Sequence, residues 1–129
     1  IRTHGSKAFL GQSIPNLFSE NFRTSNAGTV QAMVTQYEGF EPAALIQYYE
    51  IMIARKDRTD ILKTFTKPVS FIIGKYDTAV PAEQVLQQCH LPQISYIHFL
   101  ENSGHMGMWE ETGAANEALK TFLDNVYVN

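Results

Sequence analysis

The stretch that decides the fold is KPVSFIIGKYDTAVP, residues 67–81. Its centre, Val69–Ile73, is a nearly continuous apolar run rich in β-branched residues, and it lies between Pro68 and Gly74. A strand that is buried on both faces has this composition, as in a parallel sheet covered by helices. We therefore expect a central strand here, followed by a polar turn that contains Asp77.

Downstream of this stretch the pattern alternates between helix and strand. Pro81 is placed to open a helix with Val85, Leu86 and Cys89 on one face. Residues 94–100 form a second apolar, β-rich run. A polar loop is expected over residues 101–112, and the last helix carries an apolar stripe from Ala115 to Val126. The sequence thus predicts an α/β fold in which residues 67–129 form a β-α-β-α unit of a parallel sheet with a right-handed crossover.

Upstream of residue 67 the signals are helical. Val30, Met33, Val34 and Tyr37 share one face of a helix that Gly39 ends, and Pro42 suits the first turn of the next helix. Residues 1–24 are interrupted by Gly and Pro and indicate short helices with turns. We therefore divide the chain into a helical region with its linker, residues 1–66, and the β-α-β-α region.

Composition excludes several classes of function. The 129 residues include 10 Lys and Arg against 13 Asp and Glu, which gives a net charge of -3, with no basic patch for nucleic acid or an anionic membrane. The single Cys89 excludes an intrachain disulfide, and no apolar run approaches the length of a membrane span. We expect a cytoplasmic protein without nucleic-acid or membrane partners.

Two polar residues follow the two predicted strands. Asp77 comes after the first strand and His105 after the second, and the carboxyl ends of parallel strands meet at one edge of a sheet. A carboxylate that accepts from one imidazole N–H leaves the other ring nitrogen as a general base. We therefore predict that Asp77 and His105 form a catalytic pair. No spacing typical of a metal site is present, and no metal or other cofactor is expected.

KPVSFIIGKYDTAVP, together with ISYIHFLENSGHMGMWEE at residues 94–111, resembles the C-terminal part of an α/β-hydrolase. The resemblance implies that Asp77 is the triad acid and His105 the triad histidine, and that Val80 and Met106 face the substrate pocket. It also implies that the helical region contains a lid over that pocket. The chain departs from the family in having Thr112 where Pro often follows the two glutamates.

The nucleophile of that family is missing from the sequence. It should stand on a Gly-x-Ser-x-Gly turn upstream of the acid, and the nearest match, Gly11–Pro15, has Pro in place of the last glycine. The chain also begins with Ile1. We therefore expect the C-terminal part of a longer hydrolase of small apolar esters. The Ser nucleophile would lie upstream, and the chain alone would be inactive.

Two alternatives stay open at this stage. An upstream Asp nucleophile would make the protein similar to epoxide hydrolases or haloalkane dehalogenases, and an elbow without any nucleophile would make it a non-catalytic protein that binds small molecules. In each case the two strands need a further partner. We expect either the N-terminal half of the protein or self-association through exposed strand edges.

Overall fold

The computed structural model of the protein describes residues 1–127; residues 128 and 129, which the sequence assigns to the C-terminal region, lie outside the described residues. The helical region contains five helices, joined in part by a 3-10 turn at Pro15–Leu17. They are α1 (Gly5–Ser13), α2 (Glu20–Ser25), α3 (Ala27–Tyr37), α4 (Pro42–Ala54) and α5 (Thr59–Thr64). The short helices predicted for residues 1–24 and the two longer ones after them are therefore present.

Local sequence explains where these helices begin. The Ser19 side chain accepts a hydrogen bond from the backbone N–H of Phe22 at 3.3 Å, and this caps α2. Pro42 occupies the first turn of α4, where its missing N–H costs nothing. One buried cluster holds α1, α3 and α4 together; its members are Leu10, Ile14, Phe18, Val30, Met33, Val34 and Leu45. The helical region therefore has its own small core.

The C-terminal region is the predicted β-α-β-α unit. Its elements are β1 (Val69–Gly74), α6 (Ala82–Leu86), β2 (Ser95–Leu100), α7 (Gly107–Glu110) and α8 (Thr112–Tyr127). The two strands are parallel, with Val69 opposite Ser95 and Gly74 opposite Leu100. Helix α8 packs on both strands, and Phe122 meets Tyr96 edge to face at 5.3 Å between ring centroids. The α/β class is confirmed.

Three expectations need correction. Ile73 is buried, but Ile72 and Ile97 are exposed, because the described residues hold only two strands and too few helices to cover both faces. The loop expected over residues 101–112 contains the short helix α7. Helix α6 ends at Leu86, so Cys89 lies in the turns after it rather than on a helix face. Cys89 is nonetheless buried, and burial raises the pKa of its thiol.

None of the helices within residues 1–127 is both long enough and apolar enough to cross a membrane.

Candidate active site

The two strands end side by side and bring their following loops together. Gly74 and Leu100 are register partners, and the backbone N–H of Lys75 donates to the Leu100 carbonyl at 3.0 Å. One residue further, the N–H of Tyr76 donates to the Ser103 carbonyl at 2.8 Å. The parallel pairing thus continues past the strands into the turn that carries Asp77 and the loop that carries His105.

Asp77 and His105, predicted as a pair from their positions, are in direct contact. The Nδ1 atom of His105 lies 2.8 Å from Oδ2 of Asp77. The other carboxylate oxygen of Asp77 accepts from the backbone N–H groups of Ala79 and Val80, both at 2.8 Å. The Asp77 side chain is only 11% exposed, whereas that of His105 is 41% exposed. The turn therefore fixes the carboxylate, and the carboxylate orients an accessible imidazole.

This geometry suits an imidazole that accepts and returns a proton. A carboxylate at Nδ1 favours the tautomer with the proton on Nδ1, which leaves the lone pair on Nε2. The carboxylate also stabilises the imidazolium that forms when Nε2 takes up a proton. The arrangement can therefore act as a general base and then as a general acid.

Glu111 holds the loop between β2 and α7, residues 101–106, which we call the histidine loop. Its carboxylate accepts from Ser103 Oγ at 2.6 Å and from the backbone N–H of Asn102 at 2.8 Å. Burial works to raise the pKa of Glu111, but these hydrogen bonds together lower it below its ordinary value. Glu111 is therefore an anchor for the histidine loop that works in its ionised form.

Two glycines allow backbone segments to approach closely at the site. A Cβ atom on Gly74 would lie 1.9 Å from the carbonyl oxygen of Gly104. A Cβ atom on Gly104 would lie 2.7 Å from the backbone nitrogen of Ser19, which follows the 3-10 turn of the helical region. Only glycine fits at either position, so the β1 turn, the histidine loop and the helical region are in contact through their backbones.

The histidine loop is also hydrogen-bonded to the helical region. The backbone N–H of His105 donates to the Leu17 carbonyl at 2.8 Å. The Glu110 carboxylate accepts from the N–H of Gly104 with one oxygen and from the N–H of Ser19 with the other, both at 2.8 Å. The position of His105 is thus defined from two sides, by Asp77 and by the segment around Leu17–Ser19.

A cavity of about 400 Å³ opens beside the pair. Asp77, Val80 and His105 are among its lining residues, and most of the others are apolar or glycine. The remaining lining residues are Ile72, Ile73, Gly74, Val85, Leu100, Gly104, Gly107, Met108, Ala115, Asn116 and Leu119. Met106 is not among them; it packs against the buried cluster of the helical region. Of the two residues predicted for the pocket, the structure places Val80 in this wall and Met106 under the helices.

Neither Ser13 nor Ser103 has the surroundings of a nucleophile. Ser13 is the last residue of α1 and does not follow a strand, as a nucleophile elbow requires. Ser103 is fully buried and donates to Glu111. Within residues 1–127 no cluster of three or more His, Cys, Asp or Glu side chains is arranged to hold a metal ion. Among the described residues, the site thus holds an imidazole and a carboxylate in contact.

The residues that position the histidine loop were not predicted from the sequence. No positioning role was predicted for Glu110, Glu111 or the Leu17–Ser19 segment, although two adjacent glutamates five and six residues after His105 are a visible signal. Gly104, directly before His105, and Gly74, three residues before Asp77, also carried a signal, because a glycine near the end of a strand often marks close backbone approach.

Comparison with known proteins gives the fold a wider context. No family model matches the sequence. A curated relative, a proline iminopeptidase of Saccharolobus solfataricus, is 39% identical over 72 residues, which are 55% of this chain and 23% of that enzyme.

Solved structures match over nearly the whole chain. A thermophilic esterase from Thermogutta terrifontis, with malate bound, has a TM-score of 0.88 at 20% identity; the match covers 98% of this chain and 46% of that one. The enol-lactonase from Burkholderia xenovorans LB400 has a TM-score of 0.81 at 18% identity, covering 95% of this chain and 46% of its own. The chain thus spans less than half the length of these proteins.

Proposed function

We propose, from an α/β-hydrolase fold shared over nearly the whole chain, that these residues are the C-terminal part of an esterase whose base is His105 and whose acid is Asp77. The 2.8 Å contact between His105 Nδ1 and Asp77 Oδ2 is the observation that carries the proposal. The similar structures include esterases and an enol-lactonase, which supports hydrolysis of an ester bond.

The mechanism needs a nucleophile from outside this chain. In the proposed reaction an upstream serine hydroxyl attacks the ester carbonyl, and its proton passes to His105 Nε2. The imidazolium then gives that proton to the leaving alcohol, and an acyl-enzyme remains. Water attacks the acyl-enzyme with His105 again as base, which releases the acid and restores the serine. Asp77 stays ionised throughout and stabilises the imidazolium.

The cavity beside His105 supports a small and largely apolar substrate. Its lining residues are apolar or glycine apart from Asp77, His105 and Asn116, which is typical of small-molecule sites. Val80 and His105 both belong to its wall, so an acyl group held there would lie beside the base. We assign Val80 to substrate contact and the helical region to a lid, with Met106 of the histidine loop packed against that lid.

Exposed apolar residues on the two strands support the proposal that the sheet lacks a partner. Ile72 of β1 and Ile97 of β2 are exposed, although both lie in central-type strands. Ile72 pairs with His98 and Ile97 pairs with Phe71, so the two isoleucines lie on opposite faces of the sheet. We propose that the upstream part of the protein covers both faces and pairs with the free edge of β1. The chain produced alone would then self-associate and would lack hydrolase activity, which light scattering and an esterase assay would measure.

The test uses the full-length protein that contains this chain, with p-nitrophenyl butyrate as substrate. His105→Ala and Asp77→Asn should each lower kcat by about 10³–10⁴-fold, because the base or its tautomer is lost. His90→Ala is the matched control, since His90 is exposed in the turns before β2, whereas His105 follows that strand, and it should leave kcat unchanged.

Full activity in His105→Ala would refute the assignment. A fluorophosphonate probe, which labels an activated serine, distinguishes the nucleophiles. A protein that escapes the probe and opens an epoxide instead of cleaving the ester would have an Asp nucleophile with the same His–Asp pair.

A further inference from the structure

We infer that Glu110 is a positioning residue that couples the helical region to the catalytic histidine. The inference rests on the proposed function, because it assigns Glu110 a role toward His105 as base. Glu110 ends the four-residue helix α7, five residues after His105, and its side chain is half-buried. It is one of two adjacent glutamates, but its contacts differ from those of Glu111.

The carboxylate of Glu110 bridges two segments that are far apart in sequence. One oxygen accepts from the N–H of Gly104, the residue directly before His105, and the other accepts from the N–H of Ser19, 91 residues before Glu110. The Glu111 side chain, by contrast, has its hydrogen bonds within residues 1–127 to Asn102 and Ser103 of the histidine loop. Glu110 alone of this pair therefore connects the loop to the helical region.

The backbone N–H groups of Ser19 and Gly104 depend on the Glu110 carboxylate as their acceptor. Ser19 and Gly104 are both buried, so water has little access to their N–H groups. A buried N–H that loses its acceptor carries the full cost of its desolvation. The bridge therefore holds both segments at once, and movement of either segment strains the bond to the other.

Backbone contacts beside the Glu110 bridge tie the position of His105 directly to that of the helical region. The N–H of His105 donates to the Leu17 carbonyl at 2.8 Å, and Gly104 packs against Phe18 and Ser19 without room for a Cβ atom. If the segment around Leu17–Ser19 shifts, as a lid segment would on opening, Gly104 and His105 shift with it. The state of the helical region thus sets whether the imidazole faces the reacting group.

The test compares Glu110→Gln with Glu101→Gln in the full-length protein. Glutamine keeps the size of Glu110 but offers one acceptor oxygen, so one of the two N–H groups is left facing an amide N–H₂. Glu101 lies in the same loop, is exposed and pairs with Lys75 among the described residues, so Glu101→Gln makes the same change in charge without altering the bridge.

For Glu110→Gln we expect hydrogen exchange at the Ser19 and Gly104 amides to become at least about tenfold faster, since one charged hydrogen bond is lost. The downfield proton resonance of His105 Nδ1–H should shift or broaden. In the esterase assay kcat should fall by about tenfold with KM within about twofold, as for an interaction that matters in the transition state. Glu101→Gln should match the wild type in all three.

A purely structural role would lower the Tm of Glu110→Gln but leave the His105 resonance and kcat at wild-type values, and this result would overturn the inference. A wild-type protein without esterase activity would refute the proposed function instead. Exchange and the His105 resonance would then still decide whether Glu110 positions the histidine, because neither measurement needs turnover.

Discussion

Replacing Gly74 with alanine tests how closely the two strand ends must approach for the site to form. Gly74 is the last residue of β1, and its neighbour across the sheet end is the backbone of Gly104, directly before His105. A methyl group here meets carbonyl oxygens of the main chain rather than flexible side chains. The loop that carries His105 must therefore move.

The size of that movement follows from the distances. The added Cβ would lie 1.9 Å from the Gly104 oxygen and 2.9 Å from the Ser103 oxygen, whereas real Cβ contacts are not closer than 3.0 Å. The histidine loop must retreat by about 1 Å, and a 1 Å misplacement costs on the order of a hundredfold in rate. Overpacking of this kind destabilises a protein by about 1–3 kcal/mol, and rigid backbone on both sides favours the upper end.

The assay is urea unfolding together with p-nitrophenyl butyrate turnover in the full-length protein. Gly74→Ala should lose about 2–3 kcal/mol in the free energy of unfolding and about a hundredfold in kcat. Gly28→Ala is the control, because Gly28 lies in α3 with nothing within 4 Å of an added Cβ. It should gain up to about 1 kcal/mol from helix propensity. A Gly74→Ala protein with wild-type stability and kcat would refute the close approach.

The remaining predictions concern stability. Glu111 has a lowered pKa in the folded protein, so its contribution is present above its ordinary value of 4.5 and is lost as the pH falls through the lower folded value. The difference in unfolding free energy between wild type and Glu111→Gln should therefore be largest at neutral pH and shrink well below pH 4.5; a difference that stays constant in urea titrations across this range would contradict the role of ionised Glu111. Ile14→Ala, at a side chain only 7% exposed in the helical core, should cost about 2–4 kcal/mol, whereas Ile53→Ala, 83% exposed, should stay within about 0.5 kcal/mol. Equal losses in the two variants, measured by urea unfolding, would contradict the assigned core.

The sequence predicted the fold well where local pattern and chain order decide it. The Val69–Ile73 run and the second apolar run have the β-rich composition of buried strands, and the last helix has an apolar stripe at helical spacing, so the β-α-β-α unit followed. The contact between Asp77 and His105 was predictable because parallel strands bring their carboxyl ends to one edge. Neither inference needed information about distant contacts.

Other features depended on contacts that local pattern does not encode. The exposure of Ile72 and Ile97 depends on which layers cover the sheet, and strand composition does not carry that information. The short helix α7 is ended and anchored by glutamates that bind backbone groups elsewhere. The histidine loop contacts Leu17–Ser19 through backbone packing between residues far apart in the chain. Such contacts leave no periodic pattern in the sequence from which they could be predicted.

The bridge from Ser19 to Glu110 also has a consequence for folding. The two residues are separated by 91 positions, whereas Asp77 and His105 are separated by 28. Closing the longer loop costs about 1 kcal/mol more chain entropy. Contacts of such long range slow folding, because their entropy must be lost before their bonds form. The contact between Asp77 and His105 can thus form within the β-α-β-α unit, and we expect the attachment of the histidine loop to the helices to form more slowly.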